Sequence, residues 1–261
     1  MMKRTVMTTS WDDGHPLDRR LADMLSRYGL TGTFYVPRQA ENVTMTEGQL
    51  QQLSKSFEIG AHTMRHTFLD GASRLTAERE IVESKSWVEQ VTGTTCEMFC
   101  PPGGRFNQQH LHIIRDAGYT GVRTVEALSL DEPAKIMDLW MVPTSIQAHP
   151  HGRLPYFRNT LKRKSVRGLN RYLRLGAPTD WMAIADALLH SIASEGGVFH
   201  LWGHSWEIEK NGQWGNLESV FEVMHSYLAD IPCVNNTELC HRRDTIQSAG
   251  QAIRVGSPSF V

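Results

Sequence analysis

The chain of 261 residues has no apolar run approaching the length that crosses a bilayer. Its first residues, Met1-Met2-Lys3-Arg4-Thr5-Val6-Met7, pass directly into Thr8-Thr9-Ser10, without the apolar stretch and cleavage site of a secretory leader. These absences argue against a membrane-spanning protein and set the expectation of a cytoplasmic one. Cysteine is scarce: Cys96, Cys100, Cys233 and Cys240 are the four, and none stands in CxxC spacing. That removes a zinc ribbon and offers no disulfide framework, so buried free thiols are expected. Neither sign of charge prevails. With 27 basic and 28 acidic side chains and a net charge of −1, the chain lacks the electrostatic signature of a general nucleic-acid binder. Internal repeats and low-complexity tracts are also missing.

What remains is the composition of an ordinary globular domain, 40% hydrophobic and 21% charged. Its length suits one sizeable core, so the expectation is a single domain over 1–261. Strand-like and helix-like segments alternate, as they do when helices pack around a mostly parallel sheet. Residues 5–11, 33–36, 57–60, 98–100, 118–122, 197–202 and 231–234 read as strands. The spacing of Leu17, Leu21, Met24, Leu25 and Tyr28 predicts a helix stopped by Gly29. Further helices are expected over 46–54 with Thr46 as N-cap, over 75–91, after Asn107, over 180–195 and over 217–228. About seven strand–helix units point toward an α/β barrel.

The pattern breaks between His149 and Pro178. Arg153, Arg158, Lys162, Arg163, Lys164, Arg167, Arg171 and Arg174 fall there without one acidic residue, so about 149–178 reads as a basic insertion. Such a run is commonly a solvated face. The sharper reading is that Arg158 to Arg174 grips an anionic substrate or leans on an anionic membrane.

Three clusters carry chemistry. In His62-Thr63-Met64-Arg65-His66 two imidazoles stand four apart, a spacing that on one helical turn lets them share a metal; alone it is equally compatible with satisfied core histidines. Ser10-Trp11-Asp12-Asp13-Gly14-His15 puts adjacent carboxylates at a strand end, where their repulsion is relieved by a cation or a shared proton, unless the two are simply solvated in a turn. His200 and His204 flank Leu201-Trp202-Gly203, with Glu207 close behind. A histidine there suits general acid work, and the alternative is a packed core histidine. His15, His149, His151 and His200 are expected as wall or surface residues.

Taken in order, Ser-Trp-Asp12-Asp13-Gly, Gly-Ala-His62-Thr-Met-Arg-His66, Phe99-Cys100-Pro101-Pro102-Gly103-Gly104 and Leu201-Trp202-Gly203-His204 resemble the first, second, third and fifth motifs of the polysaccharide deacetylase (NodB-homology, carbohydrate esterase family 4) superfamily. Thr33-Phe34-Tyr35-Val36 after the first helix is similar as well. The resemblance implies a distorted (β/α)7-type barrel. It implies a divalent ion, Zn2+ in first place, held by Asp13, His62 and His66, with Asp12 as the base toward an activated water and His204 as the acid toward the leaving amine. A backbone N–H near Pro102 or Gly103 would stabilise the oxyanion, Trp202 would line a small acyl pocket, and Glu207 either binds substrate or caps the turn after its strand. The activity implied is removal of an acetyl or formyl group from an N-acylated sugar or glycoconjugate precursor. Two other readings stand beside it: hydrolysis of a non-sugar amide or cyclic imide, and a sugar-binding relative without turnover.

Two positions depart from the pattern. Cys100 stands where the third motif usually has an arginine that orients the base, leaving Arg105 and Arg123 as candidates for that task. The fourth motif finds only Asp138-Leu139-Trp140, so the carboxylate that supports the acid is not identified from the sequence.

Overall fold

The computed structural model describes residues 5–152, 154, 158, 166–174, 176–243 and 245. The first strand, β1 (Thr5–Asp12), is buried on both faces over nearly its whole length, the signature of a strand covered by side chains inside a barrel and by helices outside it. Helix α1 (Asp18–Arg27) follows, buries Leu21, Ala22, Met24 and Leu25, and ends before Gly29, whose φ of +65° suits a residue without a Cβ. Next come β2 (Thr33–Val36), α2 (Glu47–Leu53) with the Thr46–Gln49 capping box, β3 (Glu58–Ala61), α3 (Arg74–Thr92), β4 (Met98–Phe99), α4 (Gln108–Asp116) and β5 (Gly121–Arg123). The capped helices and short parallel strands lie within a few residues of their expected places.

The region after β5 was not anticipated. It holds the hairpin β6 (Ala134–Ile136) and β7 (Leu139–Val142), then β8 (Ile146–Gln147). Short strands flanked by turns in a stretch rich in prolines and polar residues give little periodicity to read. Helix α5 (Val166–Arg174), α6 (Trp181–Glu195), β9 (Gly197–Gly203), α7 (Ser205–Lys210), α8 (Trp214–Ser226) and β10 (Cys233–Val234) complete the order.

The strands run in the order β6-β7-β5-β4-β3-β2-β1-β9-β8, parallel except for the β6–β7 hairpin, and β10 pairs with the first half of β1. β7 and β8 lie toward opposite ends of this order, yet only Pro143, Thr144 and Ser145 separate them in sequence. The sheet therefore curls until its ends approach, giving the distorted (β/α) barrel expected from the sequence. His200 sits inside it, with Nδ1 2.8 Å from the Pro143 carbonyl and Nε2 2.8 Å from Ser10 Oγ. Burial, joined by the charge of Arg123, pushes its pKa down to about 3, so it is a neutral core histidine.

Of the basic stretch, Lys162, Arg163, Lys164 and Arg153 lie outside the described residues. Within α5 the expected solvated face is only partly seen: Tyr172 is buried and donates to the Pro178 carbonyl, Arg171 donates to the Leu128 carbonyl, and Arg167 faces Asp131 at 3.5 Å.

Candidate active site

In a parallel barrel the carboxyl ends of the strands open onto one face. Asp12 and Asp13 end β1, His62 follows β3, Cys100 follows β4, Arg123 ends β5, Gln147 ends β8 and His204 follows β9. The topology thus gathers residues separated by up to 192 positions onto one rim.

Asp13 leaves the strand with φ +78°, and Gly14 follows at φ +59°, where a Cβ would lie 2.4 Å from Val36 Cγ1. The turn needs glycine for both reasons, and it swings the Asp13 carboxylate onto the rim. His62 and His66 do not sit on a helical turn, as their spacing suggested. Thr63 and His66 are left-handed, at φ +62° and +52°, and the peptide between them is held by Glu80 of α3, which accepts from the N–H groups of Met64 and Arg65 at 2.8 and 2.9 Å. A tight loop clamped by a buried carboxylate brings the two imidazoles to the same place, with ring centroids 5.0 Å apart.

Asp13, His62 and His66 offer ligand atoms that all lie within 4.8 Å of one another. Asp13 Oδ1 is buried without a hydrogen bond, 3.6 Å from His62 Nε2 and 3.2 Å from His66 Nε2. The Cys100 carbonyl, 2.6 Å from His62 Nδ1, accepts a hydrogen bond from that N–H, which leaves the Nε2 lone pair toward the carboxylate. Asp13 Oδ2 accepts from the Trp206 indole at 2.8 Å. Burial alone would raise the Asp13 pKa, but His62, His66 and His204 outweigh it and hold the carboxyl well below the usual range. A buried anionic oxygen without a hydrogen bond, facing two imine nitrogens, fits a divalent cation.

Asp12 points the other way. Its Oδ1 accepts from Arg123, which is completely buried with its guanidinium between the rings of Tyr35 and Trp202, at 5.4 and 4.7 Å. Of the two candidates for orienting Asp12, the structure seats Arg123 there. Arg105 lies over the ring of Phe68 and faces Asp70 at 3.9 Å. Asp12 Oδ2 is left toward the site, 4.0 Å from both Cys100 Sγ and His204 Nε2.

His204 Nδ1 lies 2.6 Å from Glu207 Oε2, so Nε2 is the nitrogen presented to the rim, 3.9 Å from Asp13 Oδ2. Burial lowers its pKa, but Glu207, Asp12 and Asp13 together lift it to about 9, and His204 carries a proton at neutral pH. Glu207, expected against substrate or as a turn cap, instead faces the imidazole three residues before it. Gln147 donates to its Oε2 at 3.0 Å and His149 Nε2 lies 3.8 Å from its Oε1. His151 bonds Gln147 at 2.8 Å and stacks near His149, with rings 4.4 Å apart. Both histidines therefore wall the site behind Glu207. Burial and the neighbouring His149 push His151 down to about 4.

Asp138, the nearest string to a fourth motif, is in the turn of the β6–β7 hairpin with φ +66°. That turn precedes β7, at the amino end of a strand parallel to β5, whereas His204 is at a carboxyl end. It cannot reach His204 from there. Pro102 and Gly103 form a one-turn helix, Gly103 at φ +61° with room for no Cβ beside Phe68. Pro102 has no N–H to offer, so a donor from this loop starts at Gly103. Trp202 lies edge-on to His204 at 5.6 Å, and His15 Nδ1 accepts from the Leu17 N–H at the start of α1. Sequence reasoning missed Trp206, Glu80 and Asp18. The last is fully buried, accepts from Ser205 at 2.5 Å, and is pushed well up by burial and by Asp13 and Asp12.

Both the sequence and the fold are similar to those of known proteins. Residues 2–122, which contain the first three motifs, match the polysaccharide deacetylase family model. A peptidoglycan-N-acetylglucosamine deacetylase of Bacillus cereus is 28% identical over 121 residues, 45% of this chain and 55% of that enzyme. The whole fold is similar to a crystal structure from Mycobacterium smegmatis described as a candidate polysaccharide deacetylase, with TM-score 0.68 and 15% identity over 93% of this chain and 92% of that one. It is also similar to a CE4-family pseudoenzyme from Bacillus anthracis, with TM-score 0.54 and 13% identity over 92% of this chain and 66% of that one. Residues 2–122 are thus similar in sequence to the polysaccharide deacetylases, and the whole chain is similar in fold to structures described as such.

Proposed function

We propose that this protein is a metal-dependent hydrolase that removes an N-acyl group, acetyl or formyl, from an amino sugar within a glycan or glycoconjugate precursor, and that it works as one catalytic domain. The observation that carries the reading is the opposed pair at the rim: Asp12 Oδ2 and His204 Nε2, 4.0 Å apart, flank the Asp13–His62–His66 cluster. The B. cereus relative points to N-acetylglucosamine units as the substrate class.

Asp13, His62 and His66 would hold the divalent ion, with Zn2+ suited to this nitrogen and oxygen set. When bound, such an ion supplies Lewis acidity toward the amide carbonyl and lowers the pKa of water. Asp12, fixed through Oδ1 by Arg123, has Oδ2 free to take a proton from the attacking water. His204, protonated and fixed through Nδ1 by Glu207, has its Nε2 proton free for the amide nitrogen as the C–N bond breaks. Each of the two groups thus has one atom held by a neighbour and the other presented to the site. The Gly103 region supplies the place for an oxyanion donor, and Trp202 for the wall of a small acyl pocket.

A second reading, a sugar-binding relative without turnover, draws on the pseudoenzyme neighbour and on Cys100 at the usual arginine position. Arg123 weighs against it, because the orienting cation is present though supplied from a different strand. The test is acetate and formate release from N-acylated sugars, free, oligomeric and nucleotide-linked, with and without a chelator. Asp12→Asn is expected to abolish turnover while leaving metal bound. No release from any of these sugars by the metal-loaded protein would remove the sugar N-deacylase reading.

A further inference from the structure

The residues after His204 form the first turn of α7, and each of them reaches a different part of the site. Ser205 donates to buried Asp18, Trp206 donates through Nε1 to Asp13 Oδ2 at 2.8 Å, and Glu207 accepts at His204 Nδ1. The Trp206 contact spans 193 residues and ends on the carboxylate of the metal cluster.

The two oxygens of Asp13 are not equivalent. Oδ2 accepts the indole N–H, and Oδ1 is left without a hydrogen bond, facing His62 and His66. The left-handed turn places the carboxylate on the rim but does not by itself choose which oxygen faces the histidines. Without the indole donor, Oδ2 still faces His204 Nε2 at 3.9 Å. Rotation toward it would take Oδ1 off the histidines and pair the carboxylate with His204 instead. The Trp206 ring stands beside that imidazole, with centroids 5.7 Å apart, and Ser205 pins the turn to Asp18, so the indole itself has little freedom.

We infer that Trp206 is a positioning residue for the metal: its indole N–H occupies Asp13 Oδ2, reserves Oδ1 as a single-oxygen ligand, and keeps the carboxylate from pairing with His204. This rests on the metal reading given above. Partners that orient ligands from behind typically govern metal affinity by 10–100-fold, and the indole is here the single side-chain donor that Oδ2 has among the described residues.

The test measures Zn2+ affinity by competition with a chromophoric chelator, using the full chain. Wild type is compared with Trp206→Phe and with a protein carrying 3-benzothienylalanine at this position, which keeps the ring shape and removes only the N–H. Trp214→Phe, whose indole bonds Glu209 outside the metal cluster, is the control, and His66→Ala marks loss of a ligand. Both Trp206 variants are expected to bind Zn2+ about 10–100-fold more weakly, with the control unchanged and the metal-free melting temperature of the isostere equal to wild type. Affinities of the isostere within about threefold of a wild type that binds Zn2+ would overturn the inference and leave the metal reading standing. Wild-type affinity no better than that of His66→Ala would overturn both.

Discussion

Replacing Arg123 with leucine removes a guanidinium that is completely buried between two aromatic rings and leaves the Asp12 carboxylate, also buried, facing it. Breaking a buried pair from one side costs about 3–5 kcal/mol, because the surviving charge keeps its desolvation penalty. Against a typical stability of roughly 5–15 kcal/mol that is a large share, and for a chain of this size it lowers the melting temperature by roughly 6–15 °C. The mechanism predicts more than instability. If the cost is an orphaned charge, Asp12→Asn in the Arg123→Leu background restores part of it, and a double-mutant cycle gives a coupling of roughly 2–3 kcal/mol. Urea unfolding of the four metal-free proteins measures this directly. Arg123→Lys, which keeps the charge but loses the planar fork, should fall between wild type and leucine in stability and lose activity more than stability. A coupling below about 0.5 kcal/mol would mean that the two residues do not act as a pair, and the account of how this chain manages with Cys100 would be wrong.

Three further outcomes follow from the site. Glu207→Gln keeps the shape of the His204 contact and removes its charge, so the His204 pKa falls from about 9 toward its ordinary value. The alkaline limb of kcat/KM should then move to lower pH, and an unmoved limb would deny Glu207 its role. His62→Ala should abolish both metal binding and turnover, read by metal analysis after dialysis and by acetate release; retention of stoichiometric metal would displace the ligand set. His200 is neutral in the barrel, its pKa near 3 against 6.5 for an ordinary histidine. Below pH 6.5 the unfolded chain takes up the proton first, so stability falls by up to about 1.4 kcal/mol per pH unit until the folded value is reached. The urea midpoint of wild type relative to His200→Gln should therefore drop between pH 6.5 and 4, and parallel profiles would refute the assignment.

Much of the fold was legible because its signals are local. Thr46 announces a capping box, Gly29 a stop, and the β-branched and aromatic run at 33–36 a strand, and each stands within a residue or two of its expected place. The hairpin β6–β7 was not, since three- and four-residue strands joined by two left-handed non-glycine residues, Met137 and Asp138, carry neither alternation nor a glycine turn signal. The chemistry-bearing residues were readable where a type and a spacing coincide, as in Asp12-Asp13 and His62…His66. Their supporters were readable only in part, Arg123 being one of two candidates for orienting Asp12. Arg123 reaches Asp12 across 111 residues, and nothing around Gly121-Val122-Arg123 distinguishes it from a strand end.

The displaced support for the acid has a different cause. A carboxylate for His204 was sought far away, in a fourth motif, because the resemblance to the family implies one there. Here the partner is Glu207, one helical turn on, and the i, i+3 geometry at the start of α7 suffices to close the contact. That spacing was visible in Gly203-His204-Ser205-Trp206-Glu207 but ambiguous, since the same residue in the first turn is also well placed to favour the helix dipole. What resolves the ambiguity is Gln147 and His149 at the end of β8 and just after it: they hold Glu207 toward the imidazole. The same short turn orients the acid through Glu207 and touches the metal cluster through Trp206. A helix-breaking change within it, such as Ile208→Pro, which removes the N–H bonded to the His204 carbonyl, should therefore weaken metal binding and shift the alkaline limb together. Separate loss of only one would show that the two contacts are independent rather than parts of one rigid turn.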